Sequence, residues 1–184
     1  MPVLISMLRG VNVGGHNKVE MGALRALYES LKFEDPRTYV QSGNVIFRSK
    51  ENISLALAKK IQNAIEREFN CRPEVILRTT DELRKAIASS PFPASRGLET
   101  GKILVTFLNA EPGPEANATL LKLKNHPEEI HLKGRELYIY FPNGAGRSKL
   151  PWSTIAEMLE TQGTARNWNS VTKMLEIAEE MEKG

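Results

Sequence analysis

Between positions 9 and 18, Arg9, His16 and Lys18 frame Gly10, Gly14 and Gly15, with Asn12 among them. This pattern could seat an anion. Glycines let backbone N–H groups approach a phosphate, a following helix offers the positive end of its dipole, and a lysine or arginine neutralises the charge. The plainer account is that the glycines only permit the turns of a long loop, with Glu20 satisfying the helix dipole. Two familiar phosphate-binding mechanisms are excluded, because the segment lacks the lysine-serine ending of a P-loop and does not follow dinucleotide-binding glycine spacing.

A histidine can act as general acid or base near neutral pH, which makes His16 a catalytic candidate. No acid neighbours it in sequence, and such a histidine is more often simply an exposed loop residue. Cys71 precedes Arg72, which could favour a thiolate, although a lone cysteine at a helix end is more often a bystander. As the only cysteine it excludes an intrachain disulfide and a cysteine-cluster metal site. His126 and His131 fall on different elements, so no metal pair is read there. Asp35 and Asp81 are the only aspartates, which argues against an aspartate-based magnesium site. The residues name no cofactor.

A second basic, glycine-containing stretch, Asn143 to Lys149, supplies Arg147 and Lys149, with Arg166, Asn167 and Trp168 further on. It could bind phosphate with Trp168 stacked on a base. The plainer account, favoured for Trp168 and left open for Arg147 and Lys149, is a connecting loop, with Trp168 packed at the start of the terminal helix and Asn169 as its cap.

These candidates sit in a chain of 184 residues, 41% hydrophobic, enough to fold without covalent staples. A net charge of +3 permits an anionic ligand but falls short of the usual excess in nucleic-acid-binding proteins. No apolar run approaches the roughly 20 residues of a membrane span, and the N-terminal residues lack the features of a secretion signal. A cytoplasmic protein without a membrane partner is expected, either monomer or homodimer.

The elements follow from periodicity. Val3 to Leu8 reads as a buried strand, and Met21, Leu24, Leu27, Tyr28 and Leu31 repeat at helical spacing over about 20–32. Thr38 to Gln41 and Asn44 to Arg48 form a hairpin across Ser42-Gly43. Asn52 or Ser54 caps a second helix with Leu57, Ile61 and Phe69 inside, and Glu74 to Arg78 is a strand. That order, strand-helix-strand-strand-helix-strand, is the split βαβ or ferredoxin-like pattern. Thr79 and Glu82 make a capping box for a short helix, and Ser89 to Gly97 is an irregular connection.

The second half repeats the order. Lys102 to Leu108, Glu129 to Leu132, Glu136 to Phe141 and Thr164 to Asn167 are strands; Pro114 to Lys124 and Thr154 to Glu160 are helices. A terminal helix bears Val171, Met174, Leu175 and Ala178 on one face. The expected fold is therefore α+β: a first ferredoxin-like unit over 1–79, a helix and Pro-rich connection over 80–100, and a second unit with a C-terminal helix over 101–184. The first strand is apolar on both faces, so its second face needs a cover from the second unit, the terminal helix or a dimer partner.

Leu8 to Gly15, Lys18-Val19, Tyr39 to Val45 and Thr164 to Lys173 together resemble the bacterial family catalogued as domain of unknown function 1697. The resemblance spans nearly the whole chain and implies a pair of ferredoxin-like units. It brings no established activity and no catalytic residue.

In a split βαβ unit the loop after the first strand, the hairpin turn and the entry to the fourth strand share one end of the sheet. Arg9, Gly10, Asn12, Gly14, Gly15, His16 and Lys18 should therefore meet Ser42, Asn44 and Arg72, with no acid among them. The leading expectation is a binding site for a phosphorylated or other anionic small molecule. Alternatives are a nucleic-acid-binding protein using the basic loops of both units, an enzyme on a nucleotide-like substrate, and a structural or interaction protein. An RNA-recognition module would need aromatics on its central strands, where only Phe47 stands in the first half and Tyr138 and Tyr140 in the second.

Overall fold

The computed structural model describes residues 1–184. It is an α+β structure with two four-stranded antiparallel sheets, each with helices, and it divides into two compact units, residues 1–85 with 172–184, and residues 86–171.

In the first unit β1 (Val3–Leu8) is central, because all six of its residues are buried. It pairs antiparallel with β3 (Asn44–Arg48) on one side and β4 (Val75–Thr79) on the other, and β2 (Glu34–Tyr39) forms the edge beyond β3. Alternation along β1 sends Leu4 and Leu8 into a core with Val45, Phe47 and Leu77. Helices α1 (Met21–Ser30) and α2 (Leu55–Phe69) close that core with Leu24, Tyr28, Leu57 and Ile61. Ser6 lies on the same face, where its hydroxyl meets the Tyr28 hydroxyl at 2.7 Å. On the opposite face Val3, Ile5 and Met7 are also buried.

Local chemistry sets the boundaries. Ser54 caps α2 by accepting from the Leu57 amide at 3.1 Å, and Asn70 ends it in the left-handed conformation. Thr79 and Glu82 exchange backbone-to-side-chain hydrogen bonds of 2.9 and 3.1 Å as a capping box for α3 (Thr80–Ala88). β2 begins at Glu34, earlier than the expected Thr38. Its Pro36 is tolerated because an edge strand needs no amide there, and the register shifts between Glu34 and Arg37.

The last helix, α6 (Trp168–Lys183), contributes to the first unit from Thr172 onward. Its Met174, Ala178 and Met181 are buried, the Arg48 guanidinium donates to the Met181 carbonyl, and Arg84 pairs with Glu179 at 3.0 Å.

In the second unit β5 (Ile103–Leu108) is central, between β7 (Glu136–Tyr140) and β8 (Gly163–Asn167), with β6 (Glu129–Lys133) at the edge. Leu108, Leu137, Ile139 and Phe141 form a core with Leu120 of α4 (Glu115–Leu120) and with Ile155 and Leu159 of α5 (Trp152–Leu159). α4 is shorter than the expected span to Lys124, because the chain tightens into a 3-10 turn over Leu121–Leu123. Thr119 donates back to the Glu115 carbonyl at 2.9 Å, a bond that competes with the helix. No helix in the chain is long and apolar enough to cross a membrane.

The segment expected to be an irregular connection is clamped. Arg96 forms a two-point bridge to Glu129 at 2.9 and 2.8 Å, and Lys133 donates to the Ser89 carbonyl at 2.8 Å. The Phe92 ring lies 5.7 Å from His131 and 6.1 Å from Tyr140.

Candidate functional site

The loop after β1 is held in one shape by two asparagines. Asn12 donates from Nδ2 to the carbonyls of Val19 and Gln41, both at 2.8 Å, and its Oδ1 accepts from the Val19 amide at 2.9 Å. Both of its donors and one of its two acceptor positions are thus used inside the protein. Asn17 donates to the Gly10 carbonyl at 3.0 Å, and the His16 amide closes a turn onto the Val13 carbonyl at 2.9 Å. Asn12 and Asn17 take positive φ of 54° and 50°, as do Gly14 and Gly15 at 56° and 80°, so the segment is a sequence of left-handed turns that asparagine and glycine tolerate best.

The hairpin tip is pressed against this loop. The Leu8 amide donates to the Gly43 carbonyl at 2.9 Å, and a Cβ at Gly43 would lie 2.7 Å from Val11 Cγ2 and 2.9 Å from Leu8 Cβ. Asn44 is fully buried and donates to the Tyr39 carbonyl and Ser42 Oγ, both at 3.0 Å. On the other side the Arg9 amide donates to the Glu74 carbonyl at 3.0 Å, so the loop, the hairpin and the entry to β4 do meet.

The electrostatics of this end differ from the sequence expectation of an edge without acids. Arg72 is ion-paired with Glu66 on α2 and donates to Asn63 Oδ1 at 2.9 Å. Asn70, left-handed at the end of α2, turns the chain back along the helix so that Arg72 meets Asn63 and Glu66, which adjacency in sequence does not reveal. Glu20 caps α1 by accepting from the amides of Gly22 at 2.8 Å and Ala23 at 2.7 Å. Those two backbone donors hold its carboxyl below the usual carboxylate range. Two of the amides at the start of α1, those of Gly22 and Ala23, are thus already occupied. Arg9, Gly10, His16 and Lys18 are exposed.

An open depression of about 480 Å³ lies beside the loop, lined by Asn12, Gly15, Lys18, Val19, Glu20 and Gln41. Lys18 is the one cation among these lining residues, and Glu20 and Gln41 carry side-chain acceptors. Cys71 is buried, which pushes its thiol up rather than favouring a thiolate.

The second candidate patch is not one surface. Arg147 and Lys149 are exposed on their loop, but Arg166 lies within the sheet in register with Val105, where it donates to Thr164 Oγ1 at 2.7 Å and the Ala165 carbonyl at 2.9 Å. Burial pulls its guanidinium down to about 10. Asn167, not Asn169, caps α6: its Oδ1 accepts from the Asn169 amide at 3.0 Å and its Nδ2 donates to the Gly101 carbonyl at 2.9 Å. Trp168 lines a cavity with Phe92 and Ile103. Sequence reasoning passed over that cavity because its other wall, Ser90 to Ala94, has the composition of an ordinary loop.

The family model described as Protein of unknown function (DUF1697) matches residues 1–138. No curated protein matches the chain. Among solved structures, the conserved bacterial protein SP0830 from Streptococcus pneumoniae is similar, with 22% identity and a TM-score of 0.63 over 96% of this chain and 98% of that one. At that identity the likeness is one of fold.

Proposed function

For a chain that belongs to the DUF1697 family, whose description names no activity, we propose that the protein binds a phosphorylated or other anionic small ligand at the Arg9 to Lys18 loop. The observation that supports this reading is the fixed shape of the loop. Asn12 makes three hydrogen bonds that hold Val19 and Gln41 in place, and Gly15 and Lys18 stand beside a depression of about 480 Å³. A prearranged backbone with an adjacent cation lowers the ordering cost of binding.

In this reading the anionic group sits against Lys18 and the backbone at Gly15, away from the start of α1, where Glu20 already fills two amides. Glu20 and Gln41 accept hydrogen bonds from hydroxyl or amine groups on the remainder of the ligand. We also propose that each unit is ferredoxin-like. The strand-helix-strand-strand-helix-strand order and the place of each unit's first strand between its third and fourth support that assignment.

The test is thermal stabilisation across a set of phosphate-bearing compounds. At least one sugar phosphate or nucleotide should raise Tm in the wild type and fail to do so in the Arg9→Ala, Lys18→Ala double variant. No stabilisation by any compound at millimolar concentration would remove the proposal.

A further inference from the structure

We propose that the second unit contains a separate binding cavity, between Phe92 and Trp168, for a neutral, flat aromatic or heteroaromatic ring. The cavity has a volume of about 300 Å³ and all of its lining residues belong to the second unit. That is the lower end of the range for small-molecule pockets, which suits one ring system rather than an extended ligand.

Its walls are fixed on both sides. The Phe92 amide donates to Ser90 Oγ at 3.1 Å, and the Phe92 ring is bounded by His131 at 5.7 Å, Tyr140 at 6.1 Å and the Arg96 guanidinium at 5.6 Å. Arg96 is itself held by Glu129 through two hydrogen bonds. Trp168, which also lines the cavity, opens α6, where Asn167 ties the turn to Gly101 and Asn169. Two small, exposed residues, Ala88 and Ala94, also line the cavity.

The lining selects the ligand's chemistry. No charged side chain lines the cavity, so an ionised group placed inside would lose its water without gaining a counter-charge. Two large aromatic side chains favour a flat partner in stacked or edge-on contact. The hydroxyls of Ser90 and Thr100 provide the polar points, each able to donate to a ring nitrogen or carbonyl. This chemistry is opposite to that of the Arg9 to Lys18 loop, and the cavity does not depend on that site.

The chain has two tryptophans, so Trp152→Phe leaves Trp168 as the sole indole reporter. Titration of this full-length variant with adenine and with benzamide should give a saturable change in tryptophan emission. Benzoate, which has the same ring with a charge, should bind at least about tenfold more weakly than benzamide, a difference of about 1.4 kcal/mol. Ala88→Leu and Ala94→Leu, each made in the Trp152→Phe chain, should fill the space, weaken binding at least about tenfold and keep or raise Tm. If one of them fails to fold, the other decides. The proposal is overturned if no neutral ring gives a saturable signal at millimolar concentration, if benzoate matches benzamide, or if binding survives filling; in each case the cavity is a packing void only.

Discussion

Asn12 and Val19 hold each other at two points, with the Val19 amide donating to Asn12 Oδ1 at 2.9 Å and Asn12 Nδ2 donating back to the Val19 carbonyl at 2.8 Å. This reciprocal pair imitates one rung of an antiparallel ladder with a side chain in place of a strand. It fixes where the loop hands the chain to α1, and its loss should be measurable.

Asn12→Ala removes three hydrogen bonds and leaves a Cβ at φ 54° without the polar side chain that lets asparagine tolerate it. We expect a loss of about 2–3 kcal/mol by urea unfolding. Asn12→Gly should lose about 1 kcal/mol less, because glycine takes that backbone conformation without strain. Equal losses would mean that the backbone conformation contributes nothing.

Gly43→Ala combines a φ of 78° with contacts of 2.7 and 2.9 Å to Val11 and Leu8. The expected cost is about 3 kcal/mol, from left-handed strain and overpacking together. Gly15→Ala at φ 80° meets nothing within 4 Å and should cost about 1–2 kcal/mol from strain alone. Denaturant midpoints of the two variants give the comparison, and coincident values would show that Val11 and Leu8 simply move aside.

Ser6 and Tyr28 are a buried hydroxyl pair with no exposed surface. Burial raises the Tyr28 phenol well above its ordinary value, so it stays neutral and acts as a hydrogen-bonding group. Ser6→Ala strands that hydroxyl and should cost about 1–3 kcal/mol. Tyr28→Phe should cost less, since Ser6 still lies 3.5 Å from the Val45 carbonyl. In a double-mutant cycle the pair should be less damaging than the sum of the singles; strict additivity would contradict the contact.

Glu129 is held down to about 2, first by Arg96 and then by His131. A carboxyl lowered in the folded state stabilises fully above its unfolded value of 4.5 and loses that contribution as pH falls from there through about 2. Glu129→Gln should therefore flatten the dependence of Tm on pH between those values. The side chain is 36% exposed, so solvent and salt screen the effect and the difference should shrink as salt is added. Superimposable acid profiles for the two proteins would refute this assignment.

Helical spacing made α1 and α2 readable, since Met21, Leu24 and Tyr28, and then Leu57 and Ile61, do fall on buried faces. The convergence of the loop with the hairpin tip followed from connectivity alone. What escaped was pairing at a distance. Arg72 reads as an available cation until α2 is built and Glu66 is found against it. Arg166 reads as part of a basic surface until strand register places it beside Val105. Trp168 reads as a ring that could stack on a base or pack at the start of the terminal helix, and nothing in sequence links it to Phe92, 76 positions earlier, with which it lines a cavity. The start of β2 was missed for a local reason, because proline demotes a strand unless it lies at an edge, and edges are assigned only by topology.

The return of α6 to the first unit has a consequence for how the protein is made. The residues that begin that unit leave the ribosome first, yet 172–184 must emerge before it is whole. At about 5–20 residues per second, synthesis of the intervening stretch takes roughly 4–17 s. Throughout that interval the nascent chain lacks the segment that bears Met174, Ala178 and Met181, while Val3, Ile5 and Met7 have already been translated. The second unit, by contrast, is contiguous, and all of its residues have been translated before 172–184 are begun. Order of synthesis and order of completion are therefore reversed: the half that is translated first is the last to be finished, and it is the half that a stalled or prematurely terminated ribosome would leave exposed to chaperones and proteases.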